Sequence, residues 1–128
     1  MKNRFLATAL AATFAFGLSA PALAHGSTKP QHGGIVQMSG EILVEVVKTA
    51  KGLDVYVSEE DEPLPATGFD AKLIVTPASG DKFTAALKPV GGNRLTAAGV
   101  KPGSGTKVVV SLVDKSDSAK TFATFRFD

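Results

Sequence analysis

The chain has 128 residues with 14 basic and 12 acidic side chains, two histidines, one tyrosine and no cysteine or tryptophan. The lack of cysteine excludes disulfides, thiolate metal sites and cysteine nucleophiles, and the near balance of charge gives no support to a nucleic-acid or anionic-membrane partner. A chain of this length still suffices for one domain with a single core.

Lys2 and Arg4 precede Phe5 to Leu18, an almost uncharged run of Ala, Leu, Phe and Thr, which is the pattern of a secretory signal peptide. The run is shorter than the roughly 20 residues of a membrane-spanning helix, and Pro21 breaks any helix after it. Cleavage is expected after Ala22-Leu23-Ala24, because cutting after Ala20 would leave Pro21 directly behind the scissile bond. No cysteine follows for lipid attachment, so the released chain is expected to be soluble and periplasmic, with no membrane insertion. Residues 1–24 carry two of the basic residues and none of the acids, so residues 25–128 are neutral and the pI near 9.0 owes much to the leader.

Residues 25–34 hold Gly, Ser, Thr, Lys, Pro, Gln and His without an apolar side chain to drive ordering, and are predicted to be a flexible N-terminal arm. Residues 35–128 are predicted to be one β domain. Ile35 to Met38 and Glu41 to Thr49 form a hairpin across Ser39-Gly40. In its second strand Ile42, Val44 and Val46 share an apolar face, predicted to line the core, while Glu41, Leu43, Glu45 and Val47 share a mixed one. Lys51-Gly52 leads into Leu53 to Ser58, where Leu53, Val55 and Val57 alternate with Asp54, Tyr56 and Ser58. Glu59 to Pro65, with four successive acids and two prolines, reads as a loop.

Ala71 to Thr76 and Lys82 to Leu87 make a second hairpin across Ser79-Gly80-Asp81, with Leu73, Val75, Phe83, Ala85 and Leu87 predicted inward and Pro89 predicted to end it. Gly91-Gly92-Asn93 turns the chain into Arg94 to Ala98, and Pro102 to Gly105 is the next break. Val108, Val110 and Leu112 mark a further strand, and Phe125 and Phe127 anchor a last one over about Lys120 to Phe127. Seven or eight short strands joined by turns, with no helical periodicity, predict an antiparallel immunoglobulin-like β-sandwich. A small β-barrel is the alternative, since each hides one face of every strand.

Both histidines lie in the arm. Cleavage after Ala24 would make His25 the N-terminal residue, whose amine and imidazole can chelate Cu(II) or Zn(II) in one ring. His32, seven residues on, offers a second imidazole to the same ion. Met38 adds a soft thioether at a strand end, and Glu41 and Glu45 offer carboxylate oxygens, although Met is commonly core filler and a strand acid is commonly solvated. Glu59, Glu60, Asp61 and Glu62 lack the alternating acids and glycine of a calcium loop. With no histidine beyond the arm and no phosphate-binding loop, no enzyme activity is expected.

The segments ALAHG, KPQHGGIVQ, GEILVEVV, GLDVYVSEEDEPLPATG, KLIV and LKPVGGNRLTAAG together resemble a group of small exported proteobacterial proteins found with heavy-metal resistance and efflux systems for copper or for cobalt, zinc and cadmium. The resemblance covers most of residues 25–110, most specifically His32-Gly33-Gly34 and Pro89 to Ala98. It implies a periplasmic setting and a metal-related role. Where metal-linked members carry an extra His-bearing or acidic loop after the tyrosine strand, this chain has Glu59 to Glu62 and no histidine. The expectation is therefore a periplasmic protein that binds Cu or Zn through His25 and His32, with Met38 or Glu41 as further ligands. It would buffer the metal or pass it to an efflux adaptor or another envelope protein. The alternative is a metal-free module that docks on an envelope complex by a sheet face or edge.

Overall fold

The computed structural model describes residues 28–128. Nine strands follow in order: β1 (Ile35–Ser39), β2 (Ile42–Thr49), β3 (Gly52–Glu59), β4 (Glu62–Pro63), β5 (Phe69–Thr76), β6 (Phe83–Gly91), β7 (Arg94–Ala98), β8 (Thr106–Asp114) and β9 (Lys120–Phe127). A single 3-10 turn, Ala66–Gly68, stands between β4 and β5. Every pairing is antiparallel, and the path of neighbours runs β1-β2-β3-β7-β6-β5-β8-β9, with the short β4 paired to β3. The lateral order β8-β5-β6-β7 is a Greek key, a meander of three strands with the fourth returning beside the first.

The pairing shows why alternation alone left sandwich and barrel unresolved. The first half of β6 pairs with β5, from Val75↔Phe83 to Ala71↔Leu87, and its second half pairs with β7, from Lys88↔Thr96 to Gly91↔Arg94. One strand thus belongs to both halves and turns the sheet back on itself. The result is a nearly closed, barrel-like all-β fold. No ladder joins the two edges, β1 and β9, among the described residues; beside that seam the Lys48 ammonium lies 5.0 Å from the centre of the Phe127 ring.

Period-two alternation fills the interior. Val44 and Val46, Leu53, Val55 and Val57, Leu73 and Val75, Val108, Val110 and Leu112, and Phe125 and Phe127 all point into one cluster. Full burial of each such side chain contributes about 1.5–3 kcal/mol.

Three expectations are corrected. Pro89 does not end its strand: it pairs with Leu95 beside a register shift between Pro89 and Gly91, the kind of irregular position at which a sheet accepts proline. Phe83 is opposite Val75, on the inner side, yet it stands at the mouth of the fold and remains 45% exposed. The acidic run is not wholly a loop, because Glu62 and Pro63 pair with Glu59 and Ser58 around a two-residue turn in which Glu60 and Asp61 take φ of 48° and 65°.

Candidate functional site

The single acid inside the apolar run of β2, Glu45, is the centre of the site. Register places it between Val36 of β1 and Tyr56 of β3, on the face turned away from the core. That face is covered, and the Glu45 side chain is only 4% exposed. An unpaired carboxylate there would cost several kcal/mol. The segment just before β1 supplies its partners.

The Gln31 amide donates to Oε1 at 3.0 Å, and the His32 and Gly34 amides donate to Oε2 at 2.8 and 2.9 Å. The His32 ring adds a fourth contact, Nδ1 to Oε1 at 2.9 Å. Gly33, with φ of +73°, turns the backbone so that amides on both sides of it converge on one anion. Gly34 is required for a different reason: a Cβ there would run into the Val46 carbonyl oxygen and come within 2.8 Å of a Val47 methyl. Burial pushes the Glu45 carboxyl upward, but the His32 ring and the Gly34, Gln31 and His32 amides outweigh it and hold it below the ordinary value.

His32 is fixed on its ring face as well. Its imidazole lies on the Tyr56 ring with centroids 3.5 Å apart and planes 8° from parallel. Tyr56 is outward on β3 because the clean alternation of that strand commits Val55 and Val57 to the core. With Glu45 ionised, Nδ1 is the donor of this pair. The His32 side chain is 39% exposed. A groove of about 480 Å³ adjoins the stack, with Ser58, Asp61, Pro63 and Asn93 on its far walls. Asn93 holds the far wall to β3 by donating from Nδ2 to the Val57 carbonyl at 3.0 Å.

The sequence-derived candidates separate under this geometry. His25 lies outside the described residues. His32 is brought to Glu45 and Tyr56. Met38, opposite Leu43, occupies the next row of the same face but does not line the groove, and its side chain stays exposed. Glu41 is in the β1–β2 turn, where its carboxyl lies beside Glu59 and pushes the Glu59 carboxyl above its ordinary value, so it belongs to the acidic end of the fold rather than to the groove. The part of the expected arm from Gln31 to Gly34 is tied to β2 through Glu45.

Glu45 is unsuited to be a metal ligand. Its two oxygens already accept four hydrogen bonds, which leaves it the role of orienting the imidazole. Among the described residues no group of three or more His, Cys, Asp or Glu side chains is placed to hold a metal ion. A complete metal site therefore requires ligands from outside these residues. No helix of the described residues is long and apolar enough to cross a membrane. No family model matches the chain, and no match was found among curated proteins or solved structures.

Proposed function

We propose that this chain is a periplasmic accessory protein that binds Cu or Zn and buffers the ion or passes it to an efflux system. The observation that carries the reading is the Glu45–His32–Tyr56 assembly. A buried carboxylate holds Nδ1, an aromatic ring holds the plane, and the imidazole lines an open groove. A carboxylate on the far nitrogen is the usual support of a metal-bound histidine. Imidazole suits Cu and Zn alike. His25 would complete the donor set with its imidazole and, once the leader is removed, its amine. One or two nitrogen ligands beyond His32 suit an ion that is to be handed on, since a closed tetrahedral site would retain it.

The test is titration of protein purified from the periplasm, its N-terminal residue confirmed by mass spectrometry, with Cu(II), Cu(I) and Zn(II) in parallel with a His25→Ala, His32→Ala variant. Saturable binding that the variant loses supports the reading and names the ion. Equal, weak uptake by both proteins overturns it.

A second reading, a metal-free docking module, has one observation in its favour. Phe122 is 54% exposed on the outer side of β9, on a face that also carries Lys72, Lys107, Lys120 and Arg126. Function that survives loss of both histidines but fails on Phe122→Ser would select this reading.

A further inference from the structure

We infer that the outer face of β5, β8 and β9 is a docking surface for an acidic, extended segment of a protein partner, whose carboxylates meet Lys72, Lys107, Lys120 and Arg126 while an apolar side chain covers Phe122. The inference rests on the docking reading given above and names its partner, and it leaves the metal reading untouched.

Strand pairing sets the pattern. Period two turns Val108, Val110, Leu112, Ala123 and Phe125 inward, so Lys107, Ser111, Lys120, Phe122 and Arg126 belong to the outer face. One cross-strand row there reads Lys72, Ser111, Phe122. Nearer the end of β9, Lys107 stands directly opposite Arg126. Like charges so placed destabilise a sheet, and an anion laid between them relieves the repulsion. Asp70 is the acid on this face, and the Lys115 ammonium lies 4.0 Å from it, so its charge is already countered.

Ser111 adds a recess. Val109 and Val113, its neighbours on the same face of β8, are branched, whereas its own side chain is short. A hollow of about 240 Å³ opens there, lined by Ser111, Lys72, Val113, Asp70 and Ala71. Ser111 is only 4% exposed, so it forms the floor. A hydroxyl on the floor and an ammonium on the wall suit a carboxylate, and the exposed Phe122 ring beside Ser111 suits an adjoining apolar side chain.

The dimensions select the occupant. Lys120 and Arg126 are separated by about 20 Å along β9, and Lys72 lies two strands over, about 10 Å away. An extended segment of about seven residues spans that length. A planar layer of anionic headgroups would meet the tips of the basic side chains without entering a recess in the sheet. A second copy of this chain offers Glu59 to Glu62, but those acids are folded into the tight β3–β4 turn and do not extend from Lys120 to Arg126.

The probe is the peptide Glu-Thr-Leu-Thr-Glu-Thr-Glu, titrated into nitrogen-15-labelled protein beside a counterpart with Gln in place of Glu. The acidic peptide should shift the Lys72, Ser111 and Phe122 amides saturably and leave Leu53 and Val55 unchanged. Added salt should weaken binding. The Lys107→Glu, Arg126→Glu double variant and the single variant Ser111→Val should each weaken it by about tenfold or more. Valine fills the recess and removes the hydroxyl while remaining well suited to a strand, so that variant keeps its fold.

The alternatives give different results. If the Gln peptide binds equally and the charge reversal is silent while Phe122→Ser abolishes binding, the acidic class is wrong and the docking reading stands. Larger shifts of the same amides with phosphatidylglycerol vesicles than with the peptide would assign the face to a membrane surface and overturn the inference. Salt-sensitive self-association in sedimentation, lost in the Lys107→Glu, Arg126→Glu variant, would assign it to a second copy and overturn it as well. If neither peptide nor vesicles shift these amides, the inference falls and the docking reading loses this face.

Discussion

Replacing Glu45 with alanine removes four hydrogen bonds at once, three from backbone amides and one from the His32 ring. A bond to an ionised group contributes about 1.5–3 kcal/mol net. Two effects reduce the sum. The released amides lie at the surface and regain water, and the variant no longer has a carboxylate to desolvate, a cost of several kcal/mol. The balance is a loss of about 3 kcal/mol, which for a domain of roughly 100 residues lowers Tm by about 15 °C. His32→Ala removes only one of the four bonds together with the Tyr56 stack, worth about 0.5–1.5 kcal/mol, and should cost about 2 kcal/mol in all. Because the two side chains share an interaction, the double variant should be more stable than additivity predicts by about 1.5 kcal/mol. Urea denaturation followed by far-ultraviolet circular dichroism measures all three. The reasoning is refuted if Glu45→Ala loses less than about 1 kcal/mol, or if the two substitutions are additive within error.

Gly34→Ala should lose about 2 kcal/mol and displace the His32 resonances, since the new methyl meets the Val46 carbonyl; unchanged His32 shifts would disprove the close approach. Because the folded Glu45 carboxyl titrates below its ordinary value near 4.5, its contribution is complete above about pH 4.5 and is lost as the pH falls through the folded pKa. Wild type should therefore lose more stability on acidification than Glu45→Gln does, and parallel curves would contradict this. Leu53→Ala, at a position with no exposure, should cost about 2–5 kcal/mol in chemical denaturation. Phe122→Ala, at the surface, should stay within about 0.5 kcal/mol, and a larger loss would mean that this ring is packed.

Strand alternation carried the fold legibly in the sequence. Leu53, Val55 and Val57, or Val108, Val110 and Leu112, admit one buried face each, and the structure buries all six. What alternation lacked was any record of long-range neighbours. That β3 would lie beside β7, or that β6 would bend at Pro89 to join two halves, is a property of pairing and bulge geometry that no single strand encodes. The site was half legible. His32 stood out as one of two imidazoles, but Glu45, on the mixed face of β2, reads most simply as a solvated strand acid. Its burial comes from the polar segment laid over it, and residues that order by hydrogen bonding to one carboxylate leave no apolar pattern to read. A signal for Tyr56 was present: a two-residue turn at Ala50-Lys51 sets Glu45 opposite Tyr56, so the carboxylate and the aromatic platform were already paired by the hairpin.

The neighbours of β3 have a consequence for the order of assembly. On one side Tyr56 meets Glu45 through a local hairpin, which forms on the microsecond scale. On the other it meets Arg94, and Thr96 Oγ1 reaches the Leu53 carbonyl across a sequence separation of 43 residues. A chain emerging N-terminus first, from a ribosome or through a translocation pore, therefore presents His32, Glu45 and Tyr56 early and leaves their strand with a bare edge until the β5–β6–β7 meander arrives. During that interval the edge of β3 is the hydrogen-bonding template most open to a wrong strand, and speed of delivery through residue 98 governs how long it stays so.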